Sequence, residues 1–88
     1  MSYDLLFSQA LQLHQAGRLD EAEQIYRQIL ETAPQSPDVI NLLGLIAQSK
    51  GLYEEAAALF AQALKISPDF APYYFNLGLS FLNLKQLH

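Results

Sequence analysis

Residues 37–70, PDVINLLGLIAQSKGLYEEAAALFAQALKISPDF, decide the fold. Two apolar stretches, each long enough for about three helical turns, are separated by Lys50-Gly51-Leu52 and closed by Pro68. Ser36 supplies a good N-cap and Pro37 suits the first helical position, where its missing N–H costs nothing. Gly51 ends the first stretch, because glycine takes the left-handed conformation at a helix C-terminus without a steric penalty. Glu54 and Glu55 open the second, where carboxylates complement the positive end of the helix dipole. Pro68 cannot continue it. The segment therefore predicts helices near 37–49 and 53–66.

Working outward, the preceding 34 residues repeat the pattern without a gap. Residues 3–36 and 37–70 share eight identities: Asp4/Asp38, Leu11/Leu45, Gly17/Gly51, Glu21/Glu55, Ala22/Ala56, Gln28/Gln62, Leu30/Leu64 and Pro34/Pro68. About two or three would be expected at average composition. Tyr26 also falls on Phe60, and Ala10, Gly44 and Gly78 form one column of small residues. Helices are expected near 3–15 and 19–32, punctuated by Gly17 and Pro34. A fifth should start at Pro72 and run to about Leu84 or Leu87. The chain is thus a single domain over residues 1–88, with repeats at about 3–36 and 37–70 and a partial one at 71–88.

Composition narrows the function. Apolar residues make up 51% of the 88 and charged residues only 16%, which excludes a disordered chain. Five basic residues scattered from Arg18 to Lys85, within a net charge of −4, do not make a nucleic-acid face. No cysteine is present, so neither a disulfide framework nor a thiolate metal site can form. The uncharged stretch from Phe70 to Leu84 is shorter than the ~18–20 apolar residues of a membrane span, and the N-terminus lacks a basic signal region. A soluble, cytoplasmic chain without nucleic-acid or membrane partners is expected.

No catalytic constellation is legible. His14 has no metal-ligating residue three or four positions away, and His88 is terminal. Asp20, Glu21 and Glu23, like Glu54 and Glu55, occupy helix starts and suit the dipole better than acid–base work. Gly44 and Gly78 fall inside helices, not in a phosphate-binding loop. Neither enzyme activity nor a cofactor is expected.

A family resemblance rests on the repeat columns. The second unit reads Ile40-x2-Leu43-Gly44-x2-Ala47, then Ala56-x3-Phe60, then Pro68. The third reads Tyr74-x2-Leu77-Gly78-x2-Phe81, and the first, more degenerate, keeps Ala22-x3-Tyr26 and Pro34. At a period of 34 this resembles the tetratricopeptide repeat, W-x2-L-G-x2-Y, A-x3-F, P. The resemblance implies an all-α fold: a right-handed α-solenoid of antiparallel helix pairs, here with five helices. It also implies a protein–protein interaction scaffold, with the first helix of each pair lining a concave groove for a peptide or helix.

Mapped onto this sequence, that groove takes Asp4, Phe7, Leu11 and His14 from the first unit. The second supplies Asp38, Asn41, Leu45 and Gln48, and the third Phe75, Asn76, Leu79 and Leu82. The family's chaperone-binding members clamp a carboxylate with lysine and arginine, which this face lacks. Asn41, Gln48, Asn76 and Asn83 suit instead the backbone of an extended peptide, with Phe7, Leu11, Leu45, Phe75 and Leu79 receiving apolar side chains, and an amphipathic helix laid in the groove fits equally well. On the last helix Asn76, Ser80 and Asn83 form a polar stripe. Tyr74, Leu77, Phe81 and Leu84 form a second apolar stripe without a polar cap. The expectation is that the chain belongs to a longer array or buries this stripe against another copy, as a homo-oligomer. The wording HQAGRLDEAEQIYRQIL looks like bacterial repeat arrays, some preceding glycosyltransferase domains. The alternative is therefore a substrate-docking arm at the N-terminus of such an enzyme.

Overall fold

A computed structural model describes residues 3–87, with Tyr3 and Leu87 as backbone only; His88 lies outside the described residues. Five helices follow in order: α1 (Tyr3–Gln15), α2 (Leu19–Thr32), α3 (Pro37–Ser49), α4 (Tyr53–Ile66) and α5 (Ala71–Leu87). The first four begin and end where the sequence places them. Among the described residues there are no strands, and no helix is long and apolar enough to cross a membrane.

The helix ends show why the boundaries were readable. Gly17 and Gly51 sit at φ +80° and +78°. Around Gly51, its N–H bonds the Gln48 carbonyl at 3.0 Å and the Leu52 N–H reaches back to Ala47 at 2.9 Å, satisfying carbonyls the last turn leaves open. The same pair of bonds recurs at Gly17, to His14 and Leu13. Pro37 occupies the first turn of α3, where the Val39 N–H donates to the Asp38 carboxylate at 3.0 Å. Helix α5 starts one residue before Pro72 and extends to Leu87. Proline is accepted at the second position because the first four N–H groups of a helix have no intrahelical partner.

The helices form two compact units, described separately: α1 with α2, and α3 with α4 and α5. In the first, Ala10, Ala22, Tyr26 and Ile29 are buried. In the second, Ala47, Ala56 and Phe60 form a cluster against which Leu45, Leu59 and Leu77 pack. Gly44 is the close-approach point of this unit. A Cβ built there would lie 2.5 Å from Cε1 of Phe60, so α3 and α4 pack at this distance only because the side chain is absent. Truncating a ring as deeply buried as Phe60 to alanine typically costs ~3–5 kcal/mol.

Candidate interaction surfaces

The first unit carries Phe7, Leu11 and His14 on one face of α1, all half-buried. Tyr26, fully buried on α2, organises two of them. Its ring lies 6.4 Å from that of Phe7 and 5.9 Å, edge-on, from that of His14. Nδ1 of His14 and the Tyr26 hydroxyl are 3.1 Å apart. With the ring proton on Nε2, the hydroxyl donates to Nδ1. Burial holds the imidazole below its ordinary pKa and pushes the tyrosine up to about 12. Both groups are therefore neutral near pH 7.

In the second unit α3 presents Asn41, Leu45 and Gln48, and α5 presents Phe75, Asn76, Leu79 and Leu82. Two of these meet directly: the Asn76 amide donates to Oδ1 of Asn41 at 2.8 Å. Phe75 is 71% exposed, the most exposed large apolar side chain among the described residues, and Leu82 is exposed as well. Leu79 is half-buried, while Leu45 leans onto the Phe60 cluster. Oε1 of Gln48 is buried without a hydrogen-bond partner among the described residues.

Helix α5 docks differently from what its stripes suggest. Tyr73, Leu77 and Ser80, at i, i+4 and i+7, turn inward: Tyr73 and Ser80 are buried and Leu77 packs on the Phe60 cluster. Asn76 and Asn83, which flank this line, are half-buried. The polar stripe thus lies along the docked side of the helix. Of Tyr74, Leu77, Phe81 and Leu84, only Tyr74 and Phe81 are exposed, at 55% and 56%; Leu84 is half-buried. The Tyr74 hydroxyl donates to the Pro68 carbonyl at 2.8 Å.

Two acidic residues of α2 form ion pairs with arginines. Arg18 forks the Glu21 carboxylate at 2.8 and 2.9 Å, and Arg27 bonds Glu23 at 2.9 Å. Among the described residues no three His, Asp or Glu side chains gather as a metal site would require.

Comparison with known proteins agrees with this geometry. The family model for the tetratricopeptide repeat matches residues 4–69, three quarters of the chain. The chain belongs to the tetratricopeptide repeat family. It is similar to mouse protein arginine N-methyltransferase 9, at 35% identity over 65 residues, which cover 74% of this chain and 8% of that protein. It is also similar to human superkiller complex protein 3, at 32% identity over 77 residues, covering 88% of this chain and 5% of that protein. The chain thus spans less than a tenth of each of these relatives. Among solved structures it resembles the tetratricopeptide domain of Sgt2 from Aspergillus fumigatus. The TM-score is 0.86 at 23% identity, over 94% of this chain and 55% of that one, a likeness of fold.

Tetratricopeptide repeats are interaction modules without catalytic chemistry, and the all-α repeat fold expected from the sequence is the one observed. One contact was not anticipated: His14 with Tyr26. A helical side chain leans toward its own N-terminus, so the long Tyr26 ring points back toward the turn where α1 ends. That lean, together with a hydroxyl in a column where the next repeat has Phe60, was the available signal.

Proposed function

We propose that this chain is a non-catalytic scaffold that binds an extended peptide of a partner protein along α3 and α5, with Asn41 and Asn76 reading the peptide backbone. The observation that carries this is the bond between the two amides. Once Asn76 donates to Asn41, the pair still offers amide hydrogens on Asn41 and the carbonyl oxygen of Asn76. One donor beside one acceptor is what a peptide group can pair with. Exposed Phe75 and Leu82 beside the pair supply apolar contact for alternate side chains. Phe7, Leu11 and His14 form the corresponding face of the first unit.

Peptides selected from a random display library on the whole chain test this, with affinities measured by calorimetry. Replacing Asn41 or Asn76 by alanine is expected to weaken them about five- to tenfold, roughly one net hydrogen bond. Failure to enrich any peptide, or peptides indifferent to both substitutions, would refute it.

Two further observations extend the proposal. The chain spans less than a tenth of relatives whose names are those of a methyltransferase and a complex subunit. Within such a longer polypeptide the same face would serve as the docking arm of an enzyme or assembly, the glycosyltransferase arrangement being one form. The exposure of Tyr74 and Phe81 favours a second role for α5, as an assembly surface through which copies associate. Light scattering over a hundredfold concentration range reads this: a dimer dissociated by Phe81→Glu supports it, and a monomer throughout refutes it.

A further inference from the structure

The first turns of α3 and α5 carry side chains that the Asn41–Asn76 pair does not use. The 2.8 Å hydrogen bond between these two amides fixes the register of the two helices. Three residues earlier on each helix stand Asp38 and Tyr73. Residues three apart share a helix face, and at ~1.5 Å of rise each they are about 4.5 Å apart along the axis. The Asp38 carboxylate acts on the Tyr73 phenol: burial first, and then this negative charge, hold the hydroxyl above its ordinary pKa. The Tyr73 ring is only 5% exposed, and the Phe70 ring packs on it at 4.6 Å. Its hydroxyl, which unlike Oγ of Ser80 is not sealed from solvent, has no hydrogen-bond partner among the described residues.

Charge decides what such a place can hold. From Ser36 to Ser49 and from Asp69 to Leu84 the charged side chains are Asp38 and Asp69, both acidic and both exposed. Each full negative charge outweighs the roughly +0.5 carried by a helix start. One oxygen of Asp38 accepts from the Val39 N–H at 3.0 Å, whereas a carboxylate offers about four acceptor sites. An exposed carboxylate, a phenol oxygen and the exposed Phe70 ring are together what a guanidinium or ammonium group takes. We infer that Asp38, with Tyr73 and Phe70 beside it, forms a cation seat for an arginine or lysine side chain of the peptide bound by Asn41 and Asn76. The inference rests on the peptide-binding role proposed above and names the charge of the peptide. An extended chain advances ~3.3 Å per residue, so the cation belongs one or two positions from the peptide group that the asparagines hold.

The same random display library, sorted separately on the parent chain and on Asp38→Lys, tests this. The parent should enrich arginine or lysine at one position, and Asp38→Lys should enrich aspartate or glutamate there. A synthetic, fluorescein-labelled copy of the peptide most enriched on the parent is then titrated by anisotropy. It should bind Asp38→Asn about three- to fivefold more weakly than the parent chain at low ionic strength. Asparagine keeps an acceptor for the Val39 N–H and removes only the charge. The same peptide with its basic residue replaced by glutamine should bind both chains alike, whereas a structural defect in Asp38→Asn would weaken both peptides equally. Added salt should weaken the parent complex more than the Asp38→Asn complex. Identical sequences enriched on both chains, or two peptides equally weakened by Asp38→Asn, overturn the cation seat. If those peptides still lose affinity on Asn41→Ala, the peptide-binding role stands without it. Failure to enrich any peptide overturns both.

Discussion

Alanine at Gly44 and alanine at Gly78 should change stability in opposite directions, although the two positions share one column of the repeat. Both lie inside helices, so each substitution gains about 1 kcal/mol of helix propensity. At Gly78 no atom lies within 4 Å of the new methyl, and the whole gain should appear. At Gly44 the methyl would stand 2.5, 2.8 and 3.0 Å from Cε1, Cδ1 and Cζ of Phe60. Carbon atoms settle ~3.5–4.0 Å apart, so the ring or the helix must move by about 1 Å. The ring is fully buried and cannot swing into solvent. Overpacking of this kind costs ~1–3 kcal/mol, which cancels or exceeds the propensity gain. Thermal melts followed by circular dichroism should place Gly78→Ala ~4–8 °C above the parent. Gly44→Ala should fall below it, with urea midpoints ranking the three chains in the same order. In a Phe60→Leu background the penalty at Gly44 should largely disappear, because the ring that causes it is gone. Equal melting temperatures for the two alanine variants would show that the Phe60–Gly44 contact does not set the spacing of α3 and α4.

Three further outcomes follow from buried polar groups. Ser80→Ala should stabilise the chain by about 1–2 kcal/mol, since its hydroxyl is fully buried with no hydrogen-bond partner among the described residues; an unchanged urea midpoint would count against this. Tyr26→Phe should cost about 1 kcal/mol by leaving His14 unpaired while keeping the ring, and a double-mutant cycle with His14→Gln should show the two effects are not additive. Stability should also fall as pH drops below about 6.5, because burial lowers the folded-state pKa of His14 and the unfolded chain binds the proton more readily. Melts between pH 7.5 and 5 should show a shallower slope for His14→Gln, and an identical slope would remove His14 as its source.

The helix pairs were legible because their boundaries are written locally. Gly17 and Gly51 supply the left-handed residue that ends α1 and α3, and Pro34 and Pro68 stand just beyond α2 and α4. Pairing across each turn follows from the connections, which are too short for any other partner. The docked side of α5 was not legible for a physical reason. Tyr73, Leu77 and Leu84 offer one apolar line and Tyr74 and Phe81 another, so periodicity has little contrast to report. Ser80, in the middle of the polar stripe, is fully buried. The sequence placed Asn41 and Asn76 on one face, but their hydrogen bond depends on how α5 sits against α3, which spacing alone does not determine.

Unsatisfied buried groups are unevenly distributed between the two units. In the first, the buried Tyr26 hydroxyl meets His14, and Glu21 and Glu23 meet arginines. In the second, the buried oxygens without partners among the described residues are Oε1 of Gln48 and Oγ of Ser80. They lie on α3 and α5, the helices that also carry the Asn41–Asn76 pair and the exposed Phe75, Tyr74 and Phe81. A chain selected for stability alone would fill position 80 with an apolar residue, as position 46 does in the preceding repeat with Ile46. Natural sequences break packing rules mainly where function requires it. The concentration of such breaks on α3 and α5 agrees with the peptide-binding role proposed for these two helices.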